Sequence, residues 1–417
     1  MLVRFTVYIR KLLSIIAVAV MVVAGFSACA QNSNSNPTTT NQNKTPIKIG
    51  FTVPLSGDFS GDGKFTLQGY QLWAQDVNSR GGLLGRQVQL DYLSDASKDE
   101  QAATNYRKLI SVDHVDLVVG PFGFQSVPAA KVASTFGYAF INGTGTTGDF
   151  FALGLHNVFT TSLPTDNYFA SFALYILSLP QSERPKSVAY ATADDPFTKP
   201  QVDVARKMLE NGGVTTAVYQ TYPDEATDWT PIAQKIIQSG AQAVVLGSLG
   251  VPDTSAFIQA FKQQHYNPAA FIAATGPDQG DQFTKAVGSS AEGVFVPNAG
   301  WWPTAKNFQN DQFTQSYVAK FGGTANDISS DAVQAYSVGQ VLEQAVNKLH
   351  SIDNKALIQE LHNDSFQTLQ GTVKFDDVGR NTIGVAYLFQ WQKGQLIPVY
   401  PSTQAAANPE YPKAKWS

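Results

Sequence analysis

The chain has 417 residues, enough for two or three domains of about 150 residues each. With 43% hydrophobic and 12% aromatic residues it suits a globular protein with a large core. Its formal charge is −4 and it has no run of Lys or Arg, so nothing in its charge supports nucleic-acid binding.

The first residues read as an export signal. Arg4, Arg10 and Lys11 form a basic start, and 12–25 is an apolar run. That run is short for a membrane-spanning helix, which needs about 20 apolar residues. Phe26-Ser27-Ala28-Cys29 follows and resembles a bacterial lipobox. The expectation is a signal peptide over 1–28 and a lipidated Cys29 anchoring the product to the outer face of a membrane. Cys29 is the only cysteine, so the exported body has neither a disulfide nor a thiol nucleophile. Residues 29–45 are polar and of low complexity; lacking large apolar side chains, they read as a flexible tether.

The body then alternates strand-like and helix-like runs. Residues 46–53 read as a buried strand. The spacing of Phe65, Leu67, Tyr70, Leu72, Trp73 and Val77 predicts a helix over 65–78, stopped by Gly81-Gly82. Strands over 88–93, 115–120 and 138–141 and helices over 101–111 and 126–136 follow. The pattern restarts with a strand at 187–191 and a helix at 201–211 closed by Gly212-Gly213. Strands at 215–219, 243–247 and 271–273 alternate with helices at 230–238 and 254–263, Pro231 being well placed in a first turn. A long helix is expected over 329–350, with Gly339 its sole glycine. Runs at 371–375, 384–391 and 395–400 alternate like antiparallel closing strands. Strand–helix alternation gives parallel sheets covered by helices on both faces, here in two blocks. Such sheets bind ligands beyond the carboxyl ends of their strands, which singles out the loops after Val53, Gly120, Ile141, Ala191, Gly247 and Ala273.

Catalytic and metal motifs are scarce. None of the five histidines stands at i, i+4 with an acid or in a Cys/His cluster, so no metal site is expected. Gly57-Asp58-Phe59-Ser60-Gly61 puts its serine one place late for a nucleophile elbow. Gly61-Asp62-Gly63-Lys64 is followed by Phe65 where a phosphate loop needs Ser or Thr. Gly143-x-Gly145-x-x-Gly148 matches a dinucleotide fingerprint, but it follows the fourth strand, and Gly154 breaks the helix it should open. No cofactor is expected. The threonines of this loop instead suit hydrogen bonding to a small polar ligand.

Four stretches together resemble the branched-chain amino-acid-type solute-binding proteins of ABC transporters. They are Ile47-Lys48-Ile49-Gly50-Phe51-Thr52-Val53-Pro54-Leu55-Ser56-Gly57, Asn78-x-x-Gly81-Gly82-Leu83-Leu84-Gly85-Arg86, Leu117-Val118-Val119-Gly120-Pro121 and Ala193-Asp194-Asp195-Pro196-Phe197. The resemblance implies a type I periplasmic-binding fold: α/β, with two doubly wound parallel-sheet lobes joined by three hinge crossings. Lobe 1 would hold 46–164 and 297–371, lobe 2 would hold 165–296 and 372–405, and 406–417 would be a C-terminal tail. Carried over position by position, it implies ligand contacts from Phe124, Gln125, Ser126, Thr144, Gly145 and Thr146 to an amino-acid head group. It implies Phe197 as an aromatic wall, Asp278 as the partner of an ammonium, and Trp301 at the cleft rim or in hinge packing. Two departures stand out: Phe124 replaces a small hydroxyl residue, and Asp62 replaces an aromatic.

The implied function is capture of a small solute and delivery to an ABC permease by a monomeric lipoprotein, without catalysis. A sensor of the same fold is the alternative; an exported hydrolase would need a nucleophile–base pair that the sequence does not offer.

Overall fold

The computed structural model describes residues 45–416 apart from Gly145 and Ala299. The expected signal peptide, Cys29 and nearly all of the tether lie outside the described residues, as does Gly145.

Five parallel strands form the first sheet: β1 (Ile47–Val53), β2 (Val88–Ser94), β3 (Leu117–Val119), β4 (Phe140–Asn142) and β5 (Val158–Thr160), in the order β2-β1-β3-β4-β5. β1 is buried at every position but Lys48, as a strand covered on both faces should be. The helices between them are α1 (Ser60–Ser79), α2 (Asp99–Ser111), α3 (Ser126–Thr135) and the short α4 (Gly148–Ala152). α1 starts five residues earlier than its apolar spacing predicts. Its first turn contains Gly61 and Gly63, which read as a loop; Gly63 is needed because the Pro54 carbonyl oxygen would lie 2.1 Å from a Cβ there.

The second sheet has seven strands, in the order β14-β13-β10-β9-β8-β6-β7. β6 (Ser187–Ala193), β7 (Thr215–Tyr222), β8 (Ala243–Gly247), β9 (Ala270–Ala273) and β10 (Phe295–Asn298) are parallel. The helices α5 (Ala170–Ser178), α6 (Thr198–Asn211), α7 (Thr230–Ser239), α8 (Val251–Gln263) and α9 (Gly280–Val287) accompany them. After α10 (Asn310–Phe321), α11 (Ser330–Leu349) and α12 (Asn354–Asn363) comes a separate hairpin, β11 (Ser365–Thr368) with β12 (Gly371–Lys374). The chain ends with β13 (Tyr387–Gln392) and β14 (Gln395–Tyr400), antiparallel strands added to β10.

Two of the three expected closing strands thus complete the second sheet, and the first does not. Gly371–Lys374 pairs with β11, and Phe366, Val373 and Phe375 bury their side chains in the first core. The third crossing, expected near Gly371-Thr372, therefore falls later, between Phe375 and Tyr387. Overall, apolar clusters join residues 47–159 with 301–375 on one side and 169–296 with 388–399 on the other, so the chain passes between the two bodies three times. The final residues pack on the second body: Tyr411 and Trp416 lie against its core, and the Lys413 Nζ sits 3.2 Å from the centre of the Trp416 ring.

α1 and α11 form the closest helix pair of the first body. Gly69 meets the Ala332 backbone, and Gly339 meets the Trp73 ring, whose Cδ2 would lie 2.2 Å from a Cβ. Both glycines are therefore spacers. They let the helices lie side by side in the same direction, with the start of α11 beside the middle of α1.

Candidate ligand-binding cleft

Half-buried aromatics gather in the loops of each body. On the first body, the turn after β1 carries Phe59 and the turn after β3 carries Phe122 and Phe124. The Phe59 ring lies 5.8 Å from Phe122 and 6.3 Å from Phe124, and all three rings are half-buried. On the second body, Tyr168 and Phe197 stand edge to face at 6.2 Å and are also half-buried. Asp195 Oδ1 fixes the Phe197 turn, accepting from the backbone N–H groups of Phe197 at 2.8 Å and Thr198 at 2.9 Å. Half-buried aromatics on both sides offer an apolar slot.

The hydroxyl side chains expected to meet a head group are already engaged. Thr144 Oγ1 accepts from the Gly123 N–H at 2.9 Å and donates to the Pro121 carbonyl at 3.1 Å, locking the two loops together. The Ser126 hydroxyl donates to the Gly123 carbonyl at 2.6 Å, and that of Thr146 to the Leu163 carbonyl at 2.7 Å. Gln125 donates to Asp99 at 3.3 Å. Gln125, Ser126 and Thr146 are buried. Their donors build the loops, and among the described members of this group Phe124 and Thr144 still reach solvent. The Gly143-x-Gly145-x-x-Gly148 turn opens only the five-residue α4, too short to seat a pyrophosphate as a dinucleotide fold does.

Trp301, expected at the rim or in hinge packing, belongs to the first core. It is 8% exposed, donates to Asn310 Oδ1 at 2.6 Å and meets Phe313 edge to face. Its neighbour Trp302 packs on Tyr387 and Phe389 of β13.

Three carboxyls lie near enough to feel one another's charge. Asp62 comes from the first turn of α1, Asp278 from the loop between β9 and α9, and Asp331 from the first turn of α11. The backbone places them. α11 begins beside the middle of α1, so Asp331 stands about two helical turns along α1 from Asp62. Gly280 approaches the turn before α11, 3.3 Å separating the Asn326 carbonyl oxygen from where a Cβ would stand, and this carries Asp278 to the same place. Asp278 is exposed to solvent, although protein atoms crowd around its carboxyl. Burial, with Asp62 nearby, pushes its carboxyl up to about 6 against the pull of the Gly276 N–H, which it accepts at 2.9 Å. Burial and the charges of Asp62 and Asp278 hold the Asp331 carboxyl well above its usual range, opposed by one Ser329 hydroxyl at 3.1 Å. Burial also raises the Asp62 carboxyl. Tyr168 feels the same place: burial, then Asp331 and Asp278, raise its hydroxyl pKa. Among the described residues none of the three acids makes an ion pair, and they do not gather closely enough to hold a metal ion.

Sequence reading missed Asp331, Tyr168, Phe59 and Phe122. Ser329 and Asp331 look like an ordinary helix start, and only the packing of α1 on α11 turns that start into a cleft wall. Tyr168 sits in a segment between the two bodies that carries no motif.

Comparison with known proteins bears on the whole body. Residues 46–395 match the family described as periplasmic binding protein. A Leu/Ile/Val-binding protein homolog from Brucella suis is 25% identical over 386 residues, spanning 88% of this chain and 94% of its own. Among solved structures, a protein from Silicibacter pomeroyi assigned to branched-chain amino acid ABC transport superposes with a TM-score of 0.79 at 18% identity, over 88% of this chain and 99% of that one. The substrate-binding protein of a Streptococcus pneumoniae branched-chain amino acid transporter, solved with isoleucine, gives 0.71 at 19% identity, over 84% and 97%. These structures share the α/β fold with two parallel-sheet lobes, and the family is one of extracytoplasmic solute-binding proteins. The chain belongs to the periplasmic binding protein family.

Proposed function

We propose that this protein captures a small organic solute, an amino acid or a related compound, between its two bodies and hands it unaltered to the membrane permease of an ABC importer. The observation that carries the reading is the pairing of the two bodies: half-buried aromatics cluster in the loops of each, Tyr168 of the second feels the charge of Asp331 of the first, and the chain crosses three times between them. A solute that touches both walls stabilises the closed arrangement over the open one by the contacts it makes to each. The crossings near 164, 297 and 375–387 serve as hinges. Lipidation at Cys29 would hold the protein at the outer face of the membrane, and the polar stretch 29–45 would let it reach the permease. Among the described residues no helix is long and apolar enough to cross a membrane. The protein works as a monomer and needs no cofactor, because grip and release are noncovalent.

Isothermal titration against a panel of amino acids, amides, amines and carboxylates tests this, with mass spectrometry of each compound afterwards. Saturable binding with the compound recovered intact is expected. Absence of binding at millimolar concentration, or recovery of a chemically changed compound, would overturn it.

A further inference from the structure

The charge of the slot narrows the solute. We propose that the cleft takes a small organic solute with two cationic groups on an aliphatic stem, a diamine or a basic amino acid, its charges met by Asp62, Asp278 and Asp331 and its stem by the aromatic walls. This rests on the solute-binding reading above and specifies its substrate class.

The argument begins with what faces the slot. Asp62 and Asp331 come from the first body and Asp278 and Tyr168 from the second, and no lysine, arginine or histidine pairs with any of the three acids among the described residues. Asp62 and Asp331 are half-buried and Asp278 is exposed, and carboxylates that feel one another's charge repel unless an opposing charge stands between them. A branched-chain amino acid brings one ammonium and one carboxylate, a net charge of zero, and would leave the excess uncompensated. A solute with two cationic groups supplies what is missing.

The carboxyls are also spread out. Gly69 of α1 lies level with Ala332, next to Asp331, and Asp62 stands two helical turns further toward the start of α1, about 10 Å along its axis. One ammonium cannot serve both ends of such a line; two joined by a stem can. The stem would pass the half-buried rings of Phe124, Tyr168 and Phe197, whose faces also attract cations.

A second observation points the same way. Gln334 follows Asp331 by one turn on the same face of α11 and lies against the 143–147 loop, its Cβ 3.2 Å from where a Gly143 Cβ would be. It is 9% exposed, and its Oε1 is buried without a hydrogen-bond partner. A buried acceptor with nothing to accept from is costly, and an ammonium or guanidinium group offers only donors. The hydroxyls suited to a carboxylate are meanwhile spent on backbone carbonyls.

The test is titration calorimetry at pH 7.5 on the mature protein with putrescine, agmatine, lysine, arginine, leucine, isoleucine and benzoate. At least one of the first four should bind tenfold or more tightly than any of the last three. Asp331→Asn and Asp62→Asn should each weaken that binding tenfold or more while the melting temperature holds or rises. Either pair of dications supports the proposal, and the tighter pair reports whether a carboxylate accompanies the two cations. Tight binding of leucine, isoleucine or benzoate with none of the dications would overturn the proposal and leave solute binding standing. So would dication binding unchanged in both variants. No binding by any of the seven at millimolar concentration would sink both readings.

Discussion

Asp253 and Asp331 stand in the same local setting, the first turn of a helix beside the end of a sheet, and they are used differently. Asp253, at the start of α8, accepts from the N–H groups of Leu249 at 2.7 Å and Gly250 at 3.0 Å, and the Tyr222 hydroxyl lies 3.1 Å away. Asp331, at the start of α11, has the Ser329 hydroxyl and two neighbouring acids. Burial pushes both carboxyls up. At Asp253 the donors pull back; at Asp331 one donor does, while Asp62 and Asp278 push further. The first aspartate completes the fold, and the second is the one that the proposed dication would meet. Thr144 and Thr146 repeat the lesson, their hydroxyls resembling a binding site in sequence and serving the backbone in space.

The sharpest way to break this comparison is to remove each side chain. Asp253→Ala would strand the Leu249 and Gly250 N–H groups in a site that is 4% exposed and leave the Thr254 N–H with one long bond, while the Tyr222 hydroxyl keeps the Gly247 carbonyl, at a cost of about 2–4 kcal/mol. Asp331→Asn should cost nothing or stabilise the unliganded protein, because it removes repulsion and keeps the shape. Urea unfolding of the two variants checks this. Equal losses would mean that Asp331 is structural after all. A smaller effect is expected at the helix pair that positions Asp331. Gly339→Ala forces a methyl into the Trp73 ring, which should cost about 1–3 kcal/mol and weaken solute binding by shifting the start of α11. Stability lost with binding intact would separate the packing of α1 on α11 from the cleft.

How much of this could be read from sequence follows from the range of each signal. β1, the glycine stop after α1 and the paired strands β13 and β14 were legible because apolar spacing and turn residues act over a few positions. Gly371–Lys374 was misplaced because alternation marks a strand without naming its partner; β11, next to it in sequence, claims it. Trp301 was ambiguous because a tryptophan is equally apolar in a core and at a rim, and its hydrogen bond to Asn310 decides the matter only in space. Asp62 and Asp278 are legible in the sequence, one as a departure from the resemblance and one through it. Asp331 stayed hidden because a helix-start aspartate is common and its role depends on Gly69 and Gly339, which set where α11 begins relative to α1.

pH sharpens the contrast within the cleft. The Asp278 carboxyl titrates at about 6 in the folded protein, against about 4 in an unfolded chain. A carboxyl with a raised folded pKa binds its proton more tightly when folded, so its ionisation opposes folding. That opposition is absent below about pH 4, grows between 4 and 6, and is complete above 6. Unliganded stability should therefore decline across this window relative to Asp278→Asn. Because Asp278 still meets water, the difference in melting temperature should be small, roughly 1–2 °C. Binding of a dication runs the other way. It needs the ionised carboxyl, so affinity should fall several-fold between pH 7.5 and 5.5, with protons released on binding near pH 6. Calorimetry in buffers of different ionisation enthalpy reads the released protons directly, and an affinity flat across this range would detach Asp278 from the solute.

The smallest effect concerns the approach rather than the grip. A cavity of about 600 Å³ opens beside the Phe197 turn, lined by Asp166, Asp194, Asp195 and Asp203, with Lys199 paired to Asp194 at 2.6 Å. Asp195 is committed to the turn, and Asp203 lies 3.5 Å from Arg206. Asp166 is exposed, makes no ion pair among the described residues and precedes Tyr168 by two positions. Charge placed there attracts a cation toward the slot without touching it once bound. Asp166→Asn should therefore slow association of the bound dication about twofold at low salt and leave its dissociation rate unchanged; stopped-flow fluorescence measures both. The difference should vanish at about 0.5 M salt, where the screening length is only a few ångströms. An altered dissociation rate would instead place Asp166 against the solute and extend the charged wall outward from Tyr168.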